Sequence, residues 1–193
     1  MFILCDTSSI LMLLQIAPDM FRNDQYGCKT IREIHDEIIQ TTKFKSKYPW
    51  VKEIRSKVKP LVLNSDQKQK EELFFQVIRE LNFQGTINQK TGKFFDLSYE
   101  DMKLISNALS LEYKVTTGDK GIVQFSSQEF KEDFQGNISP LEIIIYWLEN
   151  KLITWDHDKQ ARLEDWAKNN EHPQQAKAKA RFMELTGYKY CGS

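Results

Sequence analysis

Twice in this chain a short β-prone run stops at an acid and a helix begins at once, and that repeat limits the folds open to it. Phe2 to Cys5 is an apolar run that ends at Asp6, after which Thr7, Ser8 and Ser9 lead into the apolar Ile10 to Leu14. A buried strand turning directly into a helix fits this pattern. Tyr113 to Thr117 is likewise β-prone and ends at Gly118-Asp119-Lys120-Gly121, a second helix start. In an open α/β sheet, ligands and chemistry gather at the carboxyl ends of the strands. The plain alternative for each acid is helix capping, for which Asp is a preferred residue.

Composition narrows the function classes. Lys+Arg and Asp+Glu are equal at 27 each, so no global positive field draws in nucleic acid, and binding of that kind would rest on local patches. At 193 residues the chain is long enough for one cored domain with an appendage. Cys5, Cys28 and Cys191 show no CxxC pairing, which fits a reducing cytoplasm better than a disulfide framework. The apolar N-terminus has no basic lead, carries Asp6 in its middle and is too short to span a bilayer, so it reads as core rather than signal peptide or membrane segment.

The order of elements then follows from periodicity. Thr30-x-x-Glu33 has the form of a capping box, and Ile31, Ile34 and Ile38 recur at helical spacing. Glu37 borders that stripe, as a boundary residue reaching into solvent or as an acid aimed into a cleft. Lys43, Lys45, Lys47, Lys52, Arg55, Lys57 and Lys59, interleaved with Phe44, Tyr48 and Trp50, form the most basic window. Such a window suits a polyanion with stackable bases, and equally a solvated helix face whose aromatics belong to the core. Leu61 to Leu63 reads as a short strand, Asp66 to Leu81 as a helix with Leu73, Phe74, Val77, Ile78 and Leu81 inward, and Phe83 to Phe95 as a loop or small hairpin. Ser98 starts a helix running to about Leu111, and Ser98-x-x-Asp101 is itself a capping-box variant. Phe134 to Ile138 reads as a last strand, and Ser139-Pro140-x-Glu142 as a helix start. Beyond Leu152 two polar amphipathic helices follow, around Asp158 to Lys168 and Gln174 to Leu185, the second stopped by Gly187. His35, His157 and His172 have no metal-ligand spacing.

Strands alternating with helices predict a central parallel sheet in an α/β/α arrangement, with Asp6 and Asp119 both at its carboxyl edge. Glu37 and Asp101, on helices that cross to that edge, can converge on them. Four carboxylates brought together repel unless a cation lies between them, and an all-oxygen set suits Mg²⁺ or Mn²⁺ rather than zinc. Such an ion can lower the pKa of a bound water and offset phosphodiester charge during in-line displacement, which is nuclease chemistry.

These residues carry a family resemblance. D-T-S at 6–8, the acid of I-x-x-E-I ending at Ile38, L-S-x-x-D at 97–101 and T-G-D at 117–119 together resemble the PIN-domain family, as in VapC-type toxins and related ribonucleases. The resemblance covers about residues 1–148 and implies a three-layer PIN-like fold and a Mg²⁺- or Mn²⁺-dependent endoribonuclease acting on single-stranded RNA. It further implies that Asp6, Asp101 and Asp119 are metal ligands, that Glu37 acts through bound water, and that Ser8 and Thr117 are supporting hydroxyls. Toxin members pair with an antitoxin, and a homodimer is in keeping with the fold. The stretch between Glu37 and Asp101 is longer than in compact toxin members. The expected organisation is therefore a nuclease domain at 1–150, with a basic, helical insertion around 43–95, and a helical C-terminal extension at 151–193. Lys43, Lys45, Lys47, Lys52 and Arg55 are the candidate RNA contacts. The alternative from another class is a catalytically inactive PIN-fold module that binds RNA or protein; an aspartyl phosphatase is disfavoured because Asp6-Thr7-Ser8 lacks the second aspartate two residues on.

Overall fold

The computed structural model describes residues 3–23, 27–40, 48–51, 57–169 and 175–191. Three short strands make a parallel sheet: β1 (Ile3–Cys5) in the centre, β2 (Cys28–Lys29) on one side and β3 (Lys114–Thr116) on the other. The register pairs Ile3 with Cys28 and Lys114, and Cys5 with Thr116. Single bridges extend the sheet outward at both edges, Thr30 to Pro60 beyond β2 and Val115 to Asn137 beyond β3, both parallel. The expected strands at Leu61 to Leu63 and Phe134 to Ile138 are thus reduced to these bridging positions and their neighbours.

Among the described residues the helices are α1 (Thr7–Ile16), α2 (Arg32–Gln40), α3 (Ser65–Phe83), α4 (Tyr99–Leu111), α5 (Lys120–Glu129), α6 (Pro140–Glu149), α7 (His157–Asn169) and α8 (Ala176–Thr186), with a 3₁₀ turn at Pro18–Phe21. From β1 the chain reaches β2 through α1, then returns past β1 to β3 through α2, α3 and α4. Right-handed crossovers in opposite directions put their helices on opposite faces of a sheet. Packing agrees: α6 and α7 lie against α1 and α8 against α6, while α4 meets α2, α3 and α5. The result is the α/β/α sandwich expected from the alternation of elements. One core runs through all three layers, with Leu4, Leu13, Phe125 and Trp147 sealed from solvent. Each such side chain stabilises by about 1.5–3 kcal/mol.

Several local expectations are corrected. Thr30 does not cap α2, which begins two residues later at Arg32; its fully buried hydroxyl points to the carbonyl of Cys5 and its backbone bridges to Pro60. In α3 part of the expected inward side holds, with Ile78 fully buried and Phe74 and Leu81 packed against the core, but Glu71 and Phe75 are buried as well, whereas Leu73 and Val77 are 61% and 49% exposed. The basic window divides. Lys43, Lys45, Lys47, Lys52 and Arg55 lie outside the described residues, as do Phe44 and the Phe2 end of the first strand. Of the rest, Tyr48 is buried and stacks on Trp166 at 6.1 Å, Trp50 packs against the core, and Lys57 is held by Asp19 at 2.8 Å. Tyr48 is therefore part of the core and not a platform for bases.

The last two helices do not hang off the domain. Leu163 and Trp166 of α7 and Ala178 and Phe182 of α8 belong to the same buried cluster as β1 and α1. The ring of Phe182 meets Trp155 edge-on at 4.9 Å, Arg162 donates to the Gln15 carbonyl at 2.8 Å, and Arg181 pairs with Glu149 at 2.7 Å. Gly187 ends α8 in the left-handed conformation, φ 75°, with its N–H on the Met183 carbonyl.

Candidate active site

Because β1 and β3 are adjacent, parallel and in register at Cys5 and Thr116, the residues that leave them, Asp6 and Thr117, emerge side by side. The ladder closes with Asp6 N–H donating to the Thr116 carbonyl at 3.1 Å. Asp6 is the N-cap of α1: its Oδ1 accepts from Ser9 N–H at 2.7 Å. The same carboxylate accepts from the Ser8 hydroxyl at 3.1 and 3.2 Å and, at Oδ2, from the Thr117 hydroxyl at 2.7 Å. Thr117 Oγ1 in turn accepts from Asp119 N–H at 3.0 Å. One threonine thus ties the acid after β1 to the backbone of the acid after β3.

Asp119 is the N-cap of α5, its Oδ1 accepting from Gly121 N–H at 2.6 Å. A side chain at position 121 would press on that carboxylate, since a Cβ there would lie 3.0 Å from Oδ1. Asp101 closes a capping box with Ser98, which donates N–H to Oδ2 at 3.0 Å while its Oγ accepts from Asp101 N–H at 3.1 Å. Glu37, half-buried on α2, accepts from the Thr7 hydroxyl at 2.5 Å. The capping roles open to these aspartates in the sequence are all realised, and the same side chains border one cavity.

That cavity, about 370 Å³, is walled by Asp6, Glu37, Glu100, Asp101 and Asp119 together with Thr7, Ser8 and Ser98, over an apolar floor of Ile34, Leu104 and Ile122. Among the described residues its wall has five carboxylates and no Lys, Arg or His. The electrostatic consequence is visible at Asp101. Burial pushes its carboxyl upward, hydrogen bonds from Ser98 pull it back, and the nearby charges of Asp119 and Glu100 add to the rise, leaving it above the ordinary carboxylate range. A divalent cation is the natural complement of such a wall, and its donors are hard oxygens only. The three aspartates are engaged by backbone N–H groups and Glu37 by the Thr7 hydroxyl, and among the described residues no three acids, histidines or cysteines converge closely enough to grip an ion. The donor chemistry fits Mg²⁺ or Mn²⁺, which Asp6, Asp101 and Asp119 would hold.

Of the residues singled out in the sequence, Asp6, Glu37, Asp101, Asp119 and Ser8 thus border one cavity, with the Thr117 hydroxyl bonded to Asp6. The lysines and arginine expected as RNA contacts lie outside the described residues. Sequence reasoning missed Thr7, Glu100 and Asn137. Thr7 had a signal, as the residue between the strand-end acid and Ser8. Asn137 had none: its amide accepts from Thr117 N–H at 3.1 Å and donates to the Thr117 carbonyl at 3.4 Å, a pairing made only because the chain returns beside β3 at that point.

No protein-family model matches the sequence, and no curated protein matches it. Two solved structures are similar in shape. VapBC-1 from nontypeable Haemophilus influenzae aligns over 72% of this chain and 98% of its own, at 16% identity and a TM-score of 0.42. VapBC2 from Rickettsia felis, bound to a DNA fragment from its promoter, aligns over the same shares at 13% identity and a TM-score of 0.39.

Proposed function

We propose that the protein is a PIN-type, metal-dependent endoribonuclease that hydrolyses phosphodiester bonds of single-stranded RNA. The observation that carries this is a cavity beside the carboxyl ends of adjacent parallel strands whose wall, among the described residues, has five carboxylates and no cation. Asp6, Asp101 and Asp119 would hold Mg²⁺ or Mn²⁺. Bound there, the ion would offset the charge of the phosphodiester and make water a better nucleophile. Ser8 and Thr117 hold the Asp6 carboxylate by their hydroxyls. Glu37 is fixed through Oε2 by Thr7, which leaves Oε1 to orient a water and take its proton. Ile34, Leu104 and Ile122 limit bulk water on the inner side.

The test is cleavage of a labelled single-stranded RNA with Mn²⁺ or Mg²⁺. Asp6→Asn, Asp101→Asn and Glu37→Gln should each slow cutting by about 100-fold or more, since each removes a group acting on the reacting centre. Variants as fast as the wild type would refute the assignment. Within this reading a toxin role requires an antitoxin, and copurification with the product of the adjacent reading frame is its test; a homodimer would appear in the solution mass.

A second reading, an inactive PIN-fold binding module, draws on the fact that no three of the acids meet at one point among the described residues. It requires RNA or protein binding that EDTA leaves unchanged, together with no cutting under any divalent ion.

A further inference from the structure

Two hollows flank the acidic cavity, and their charge balance differs. The larger, about 570 Å³, lies between α2, α3, α4 and the Pro60 to Leu63 stretch. Its cations are balanced by acids: Arg32 faces Asp36 at 3.7 Å, Lys103 faces Glu71 at 3.1 Å, and Lys68 and Glu33 both line it. A polyanion gains little there.

The smaller hollow, about 340 Å³, opens beyond Asp119, which borders both it and the acidic cavity. Lys90 and Lys120 line it, and neither forms an ion pair with another described residue. The remaining wall mixes the apolar Val123 and Pro140 with polar side chains that are held in place. Gln124 accepts from Asn88 Nδ2 at 2.6 Å, Asn137 is clamped to the Thr117 peptide, and Ser139 is held in the capping box of α6. Apart from Asp119, which the cation would engage, the charge facing this hollow is positive. Its volume falls in the range of sites that take small molecules.

We propose that this hollow receives the nucleotide adjoining the scissile phosphodiester, with Lys90 and Lys120 neutralising its phosphate and the amide nitrogens of Gln124 and Asn137 presented to its polar edges. The proposal rests on the ribonuclease reading above and adds the direction in which RNA leaves the acidic cavity: toward α5 and α6 rather than along α2. A strand entering a wall of carboxylates is repelled, and unpaired cations beside that wall hold it in place.

The experiment is fluorescence anisotropy with a labelled single-stranded RNA in the Asp101→Asn background with Mn²⁺, read before the slowed cutting consumes the RNA, across a salt series. Lys90→Ala with Lys120→Ala should weaken binding by about tenfold and flatten the slope of log affinity against log salt by about 0.7, the counterion release of one single-strand phosphate contact. Replacing both lysines with arginine should restore the slope, and Lys68→Ala should change neither quantity. Unchanged affinity and slope in the double alanine variant, or an equal loss in Lys68→Ala, would overturn the subsite. If the wild type still cuts RNA with Mn²⁺, the ribonuclease reading survives that result; if the wild type neither binds nor cuts, both fall together.

Discussion

Asp6 accepts a capping bond from Ser9 and a hydroxyl bond from Thr117 at one carboxylate, so capping the helix and bordering the acidic cavity fall to the same side chain. Asp101 shows what that double duty costs. Its native carboxyl titrates above the ordinary value of about 3.9, so between the two values the folded protein binds more protons than the unfolded chain. Stability in metal-free buffer therefore falls as pH rises through that window and stays reduced above it. Asp101→Asn removes the penalty and can keep the Ser98 N–H satisfied through its amide oxygen. Thermal melts in EDTA should show the variant melting above the wild type at pH 7, the two curves converging on acidification. Melting temperatures that run parallel across the pH series would show that the carboxylate wall imposes no such cost.

The element that most needed tertiary context is α3. Leu73, Phe74, Phe75, Val77, Ile78 and Leu81 put apolar groups around much of its circumference, so periodicity alone cannot choose the inward side. The choice is made by Glu71, an acid buried against α4, where it meets Lys103 at 3.1 Å and accepts from the Ser106 hydroxyl at 2.5 Å. Lys103 also lies over the Phe75 ring at 4.2 Å. Glu71→Ala leaves that ammonium without its partner, and urea denaturation should show a loss of about 3 kcal/mol or more. Leu73→Gln on the exposed side should stay within about 0.5 kcal/mol. A loss below about 1 kcal/mol in Glu71→Ala would mean that the pair does not set the face. Other elements were legible from local chemistry: the reciprocal caps at Ser98 and Ser139 begin α4 and α6 where the residue pattern put them. Thr30 misled because its capping-box spacing is overridden by the sheet, which uses its backbone as a bridge and buries its hydroxyl against β1. The convergence of Asp6 and Asp119 could be read from strands ending in acids; the clamp of Asn137 on Thr117 could not, since it depends on a long-range return of the chain.

At the scale of the molecule, the strand-end acids are held by a core that continues into the C-terminal helices. Phe182 on α8 is fully buried between Trp155 and Tyr190. Phe182→Ala should therefore cost about 3–5 kcal/mol in the full chain, read by denaturant unfolding, and lower the melting of the whole protein in one transition. An early, separate transition would instead show the last two helices unfolding on their own. The central claim is that acids from four separate parts of the chain, Asp6, Glu37, Asp101 and Asp119, act on one divalent cation. Binding to the folded state alone raises stability by RT ln(1 + [L]/Kd), which at a hundredfold excess over Kd is about 2.7 kcal/mol. Melting the wild type and Asp119→Asn with and without saturating Mn²⁺ measures this directly. The account predicts a clear upward shift in the wild type that is lost in Asp119→Asn; a wild-type melting temperature unmoved by Mn²⁺ would contradict it.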